Sequence, residues 1–114
     1  MIAKWGFIIF KQTKRYIMGI PDKNINGTDW SSVNVLSGLP IGTPMAIQLK
    51  TNSMILLFES ATKPTAQSKD GVLVSNIFNE DSTKIITANS LEIWAKCAND
   101  YDSAIINIQE IGGI

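Results

Sequence analysis

Apolar and polar positions alternate through the second half of the chain with the period of two that marks a half-buried strand. Met45, Ile47 and Leu49 share one side of residues 45–50, and Ala104, Ile106 and Ile108 alternate with Ile105, Asn107 and Gln109 in residues 103–111. In residues 91–97, Leu91, Ile93, Ala95 and Cys97 point one way, and Trp94 points the other way between Glu92 and Lys96. A tryptophan on the charged side of a strand is either covered or available to a partner. Residues 54–58 form a continuous apolar run, as expected of a strand covered on both faces.

Seven short strands are predicted, at residues 33–36, 45–50, 54–60, 72–76, 84–88, 91–97 and 103–111. Turn signals fall about every ten residues between them. The links Thr51-Asn52-Ser53 and Asn99-Asp100-Tyr101-Asp102 read as hairpin turns, pairing 45–50 with 54–60 and 91–97 with 103–111. Asn89-Ser90 sets 84–88 beside 91–97 in the same way. With no convincing helix after residue 20, the expectation is an all-β chain: a single antiparallel β-sandwich or small barrel of about seven strands with an N-terminal arm.

The remaining segments carry little period. Residues 22–32 are rich in Asn, Gly, Asp and Ser and read as irregular, with a turn at Asn26-Gly27. Residues 37–44 hold two Gly and two Pro and admit no regular element, and residues 61–71 read as a long exposed loop. The opening 22 residues pair Lys4 with the apolar run 5–10, but the run is too short for a membrane span, which takes about 20 residues. Basic residues, not a cleavage site, follow it, so a secretory signal is not the expectation here. Residues 1–20 are therefore expected to form an arm or assembly tether, with residues 1–17 alternatively a product of start-codon choice, and residues 21–114 the sandwich domain.

Composition narrows the chemistry. Ten Lys plus Arg balance ten Asp plus Glu, so no long-range field draws the chain to nucleic acid or an anionic membrane. Only 18% of residues are charged, which suits a surface that meets other proteins. The single cysteine, Cys97, excludes an intramolecular disulfide and a CxxC site, and reads as a small buried hydrophobe. The absence of histidine removes Ser-His-Asp and Cys-His catalysis and imidazole metal ligands.

Asp100 with Asp102, and Glu80 with Asp81, are the tightest acid pairs, but acids in a turn ordinarily serve their own backbone. The glycines lack the strand-to-helix context of a phosphate cradle, and the hydroxyl residues lack a base. No catalytic residue, cofactor or metal is expected, and the chain is not expected to be an enzyme. Aromatic and apolar anchors carry the remaining signal. Trp5, Phe7, Ile9, Phe10, Tyr16, Trp30, Trp94 and Tyr101 are the candidate interface residues. For most of the aromatic ones core packing is the ordinary outcome; Trp5, on a terminal arm, is expected to pack on a neighbouring subunit.

From Asp29 to Ile111 the chain reads "DW", then "LSGLPIGTPMAIQLKTNSMILLFESATKPTAQSKDGVLV", then "LEIWAKC" and an Ile-rich closing strand. This order resembles small virion structural and tail-associated proteins of tailed bacteriophages, with "IWAK" after the "SKDG" loop carrying most of the likeness. The resemblance implies a β-sandwich without enzymatic activity, repeated by the symmetry of the particle. Its partners would be head, neck or tail proteins and further copies of itself, with no nucleic acid and no membrane. Its place would be the virion, and the bacterial cytoplasm before assembly. The competing expectation is a carbohydrate- or host-surface-binding module, with Trp30, Trp94 or Tyr101 forming an exposed platform.

Overall fold

Ala104, Ile106 and Ile108 are buried while Ile105 between them is exposed, so the closing strand lays one face on a core and the other on solvent. The structure, a computed structural model, describes residues 19–75, 83–86 and 91–111. The elements are β1 (Lys23–Asn26), β2 (Ser31–Ser32), α1 (Val33–Ser37), β3 (Met45–Leu49), β4 (Met54–Ser60), β5 (Val72–Ser75), β6 (Thr83–Ile86), β7 (Glu92–Cys97) and β8 (Ser103–Glu110). They form two antiparallel four-stranded sheets, in the order β1-β8-β3-β6 (sheet A) and β2-β7-β4-β5 (sheet B). The expected all-β sandwich is the fold found.

The two orders match position by position. Each strand takes the same place in its sheet as its sequence neighbour takes in the other: β1 with β2, β8 with β7, β3 with β4, β6 with β5. This is the strand order of an eight-stranded jelly roll. It overturns all three expected neighbourings. The 51–53 link carries the chain from β3 in sheet A to β4 in sheet B, and the 98–102 link carries it from β7 back to β8. The same holds for β6 and β7, which lie in different sheets.

The physical reason lies in which strands offer an apolar partner. Met45, Ile47 and Leu49 of β3 take up register with Glu110, Ile108 and Ile106 of β8. Ile55 and Leu57 of β4 take up register with Cys97 and Ala95 of β7. All these apolar side chains turn inward and merge into one core with Ile25, Val33, Leu39, Val74, Ile86, Ile93 and Ala104. Fully burying a side chain of the Leu or Ile class contributes roughly 1.5–3 kcal/mol, more than a tight turn can withhold. Each ladder then runs one step on into its link, within its own sheet: Lys50 N–H donates to Ile105 O at 2.8 Å beside β3 and β8, and Ala98 N–H to Met54 O at 2.9 Å beside β4 and β7.

Residues 33–36, expected as a strand, begin a helical turn. Ser32 sits in extended backbone and its hydroxyl accepts the N–H of Val35 at 3.1 Å, the bond of an N-cap. Gly38 closes the turn at φ 79° and donates its N–H to Asn34 O. Both caps lie outside the "VNVL" stretch whose β-branched residues suggested a strand. Residues 22–32, expected as irregular, supply β1 and β2, and the bend between them keeps the predicted place: Asn26 Oδ1 accepts the N–H of Thr28 at 3.0 Å.

Candidate functional site

Sheet B buries its outer face as well as its inner one. Trp94 and Lys96 point outward from β7, in register with Phe58 and Leu56 of β4, and Trp30 lies just before β2. Trp30, Leu56 and Trp94 form a second apolar cluster, joined by Phe58 and Ala98. The Trp30 and Phe58 rings are tilted by 52° with centroids 6.3 Å apart, the arrangement aromatic quadrupoles favour. Trp30 and Trp94 are only 3% and 9% exposed, so for these two candidate interface residues the core-packing outcome is the one found.

What covers them is the segment 61–71, expected as an exposed loop. Most of its side chains face solvent, with Pro64, Ala66 and Ser68 half-buried, and its backbone runs as a strap over the sheet. Trp30 Nε1 donates to Thr65 O at 3.0 Å, and Trp94 Nε1 donates to Ser60 O at 3.1 Å where the strap leaves β4. Lys63 pairs with Asp29 at 2.6 Å, and Lys69 pairs with Asp100 at 2.5 Å while also donating to Ala98 O at 2.8 Å. At the far end Gly71 stands at φ 111°, where an added Cβ would lie 2.4 Å from Leu57 O, so only glycine returns the chain to β5.

Lys96 is fully buried beneath this layer. Its ammonium lies 3.1 Å from Asp100 Oδ1, so one carboxylate serves both Lys69 and Lys96. The Lys69 hydrogen bond and then that of Lys96 hold the Asp100 carboxyl below its ordinary range, and Asp100 in turn raises the Lys69 ammonium. Lys63, followed by the Trp30 backbone N–H, lowers Asp29 likewise. Burial pushes the Cys97 thiol up, in keeping with its place in the inner core.

Asp100 is therefore spent on lysines, and Asp102 gives its backbone carbonyl to the Gly27 N–H at 3.0 Å. The Asp100 carboxylate thus serves two lysines instead of its own backbone, and the side chain that serves the turn backbone is Asn99. Glu80 and Asp81 lie outside the described residues, among which no three metal-ligating side chains converge.

Tyr101 is 96% exposed at the tip of the 98–102 arch. The arch beneath it is built firmly: Asn99 Oδ1 accepts the Tyr101 N–H at 3.0 Å, and the Asp102 N–H donates to Asn99 O at 3.1 Å. Gly27 packs so closely under it that a Cβ would stand 2.0 Å from Asn99 O. Of the candidate interface residues, Trp30 and Trp94 thus come together under the strap and Tyr101 stands apart on the surface. Trp5, Phe7, Ile9, Phe10 and Tyr16 lie outside the described residues.

Asn107 and Gln109, on the side of β8 opposite Ile106 and Ile108, are on the outer face of sheet A, apart from Trp94 because β7 and β8 do not pair. There their amides hold the entering chain. Asn107 Nδ2 reaches Asp22 Oδ1 at 2.8 Å, Gln109 Nε2 reaches Ile20 O at 3.3 Å, and Lys50 pairs with Asp22 at 2.9 Å. Lys50 and then Asn107 lower the Asp22 carboxyl. Ile20 is accordingly tied to the outer face of sheet A.

Sequence reasoning passed over Lys63, Lys69, Asp29 and Lys96 as site-builders. Lys63 and Asp29 are 34 residues apart, and Lys69 and Asp100 are 31 apart, so no local spacing could link them. Only Lys96 with Asp100 had a visible signal, an acid four residues beyond a base. No family model, no curated protein and no solved structure matches the chain.

Proposed function

We propose that the chain is a non-enzymatic structural component of a phage particle, a tail or neck adaptor, tail-tip or decoration protein acting through protein–protein contacts in a symmetric assembly. The observation that carries this reading is the jelly-roll strand order, an architecture that recurs in viral capsid domains, used here as an analogy of fold. A second observation agrees with it. The two segments that bear the resemblance, "SKDG" and "IWAK", form one unit, the end of the strap and the strand it covers. The polar groups of that unit are engaged in holding it together: Lys69 and Lys96 on Asp100, and the Trp94 indole on Ser60 O.

Exposed Tyr101 on a rigid arch is the kind of aromatic anchor that protein interfaces use. Zero net charge agrees with protein partners over nucleic acid or membrane. Other virion proteins and further copies of this chain are the proposed partners, in the virion and, before assembly, in the host cytoplasm. Of the three aromatics named for a carbohydrate platform only Tyr101 is exposed, since Trp30 and Trp94 are buried, and this favours the structural reading.

Light scattering on the purified full chain tests the proposal. A closed oligomer of defined size is expected. A protein that stays monomeric at every concentration removes the symmetric assembly. One that also binds glycans, followed by tryptophan fluorescence, replaces the proposal with the lectin-like reading.

A further inference from the structure

We propose that residues 61–70 are a strap that opens as a unit off the outer face of sheet B while the sandwich stays folded, uncovering Trp30, Phe58 and Trp94. The fastening is sparse and specific. Between its two ends the strap holds the sheet through three of its residues: Lys63 to Asp29, Thr65 O to the Trp30 indole, and Lys69 to Asp100 and Ala98 O. Both ion pairs lie at the surface, where such pairs are weak. The strap gives no side chain to either apolar cluster, so lifting it separates backbone from rings without pulling a hydrophobic anchor out of the core.

Lys96 sets the balance. In the closed state its ammonium is fully buried, and burying an ion carries a cost even when it is paired. Opening returns it to water. Asp100 belongs to the arch and not to the strap, so Lys96 keeps its partner when Lys69 leaves, and opening strands no charge. The far end of the strap stays anchored, because Gly71 leads directly into β5, whose Val72 is in register with Leu57 of β4. A weakly fastened segment over a buried cation is the composition of a locally opening unit.

The test is hydrogen exchange of the Trp30 indole N–H, followed by NMR on the full chain and compared with backbone amides of β3 and β8. The Trp30 indole is expected to exchange faster than those amides and with a smaller dependence on denaturant. Lys63→Met with Lys69→Met removes the strap's two ammonium groups and leaves Asp100 on Lys96. It should speed the indole roughly three- to tenfold without moving the β3 and β8 amides. Lys96→Met removes the buried charge and should slow the indole roughly tenfold. Exchange of the indole at the rate and denaturant slope of the core amides overturns the proposal. So does a Lys63→Met/Lys69→Met variant whose indole exchange is unchanged.

Discussion

Asn34 Oδ1 accepts the backbone N–H of Ile93 at 2.9 Å, and Asn34 Nδ2 donates to Leu39 O and Pro40 O at 3.1 Å each. One buried amide thus ties α1, the start of β7 and the 38–40 turn into a single polar knot inside an apolar core. Asn34→Leu keeps the volume and removes all three bonds, leaving the Ile93 N–H without its acceptor. An orphaned buried donor costs roughly 1–3 kcal/mol, so we expect a loss of about 2–3 kcal/mol in urea unfolding with an unchanged slope. A variant as stable as the parent contradicts this role.

Gly27 and Gly38 separate two kinds of glycine requirement. Gly38 stands at φ 79° with open space around the missing Cβ, so Gly38→Ala meets only backbone strain, roughly 1–2 kcal/mol. Gly27 has no room, its Cβ being 2.0 Å from Asn99 O. Gly27→Ala must push the 98–102 arch away and is expected to cost roughly 3 kcal/mol or more. Because Tyr101 rides on that arch, the variant should also shift its amide resonance, whereas Gly38→Ala should leave it in place. Equal costs for the two substitutions speak against the packing account.

The strands at 45–50, 54–60, 72–76, 84–88, 91–97 and 103–111 were legible because each alternates or runs apolar, and burial enforces that pattern locally. Their pairing was not. Asn99-Asp100-Tyr101-Asp102 has the residues of a hairpin turn whether it joins neighbours in one sheet or arches between two. That choice is made by Ile47 meeting Ile108 and Ile55 meeting Cys97, contacts the chain order does not reveal. The burial of the tryptophans was hidden for a related reason. The strap meets the Trp30 indole with the Thr65 carbonyl and presents Thr, Lys and Gln to solvent, so its composition is that of a free loop. The ends of α1 depend on Ser32 and Gly38, single residues whose capping outweighs the strand preference of two valines.

Stability should be flat with pH near neutrality and fall in acid. The chain has no histidine, so no histidine titrates between about pH 5 and 8. Asp22, Asp29 and Asp100 are all lowered in the folded state, each first by the hydrogen bond of a lysine. A carboxyl with a lowered folded value stabilises above its unfolded value, about 3.9, and that contribution disappears as pH falls through the folded value. The raised Lys69 ammonium acts at the other end: its contribution is complete below the unfolded lysine value, about 10.4, and is lost as pH rises through the folded one. The urea midpoint is thus expected to hold level from about pH 5 to 8 and to drop below about pH 4; above about pH 8.5 it declines, because the Cys97 thiol ionises in the unfolded chain while burial keeps it protonated in the fold. A midpoint that moves between pH 5 and 8 is the result that removes this assignment.

Lys96 offers the sharpest contrast between a charge and the space it fills. Its side chain is fully buried, while its partner Asp100 is 59% exposed, so the ion pair joins an interior group to a surface one. Such a pair contributes less than its geometry suggests, because the ammonium has left water and the carboxylate has not. Lys96→Met keeps the length of the stem against the Trp30, Leu56 and Trp94 layer and discards the charge. By the behaviour of other buried pairs, the variant should be as stable as the parent or more stable by up to about 4 kcal/mol. Lys96→Ala empties the space and is expected to lose roughly 2–5 kcal/mol, as large-to-small changes in packed layers do. Asp100→Asn leaves the ammonium buried with a neutral partner and should fall below the parent. The order Met above parent above Ala, read from urea midpoints, requires Lys96 to act chiefly as packing. If Lys96→Met is as damaging as Lys96→Ala, the charge itself holds the arch to the sheet.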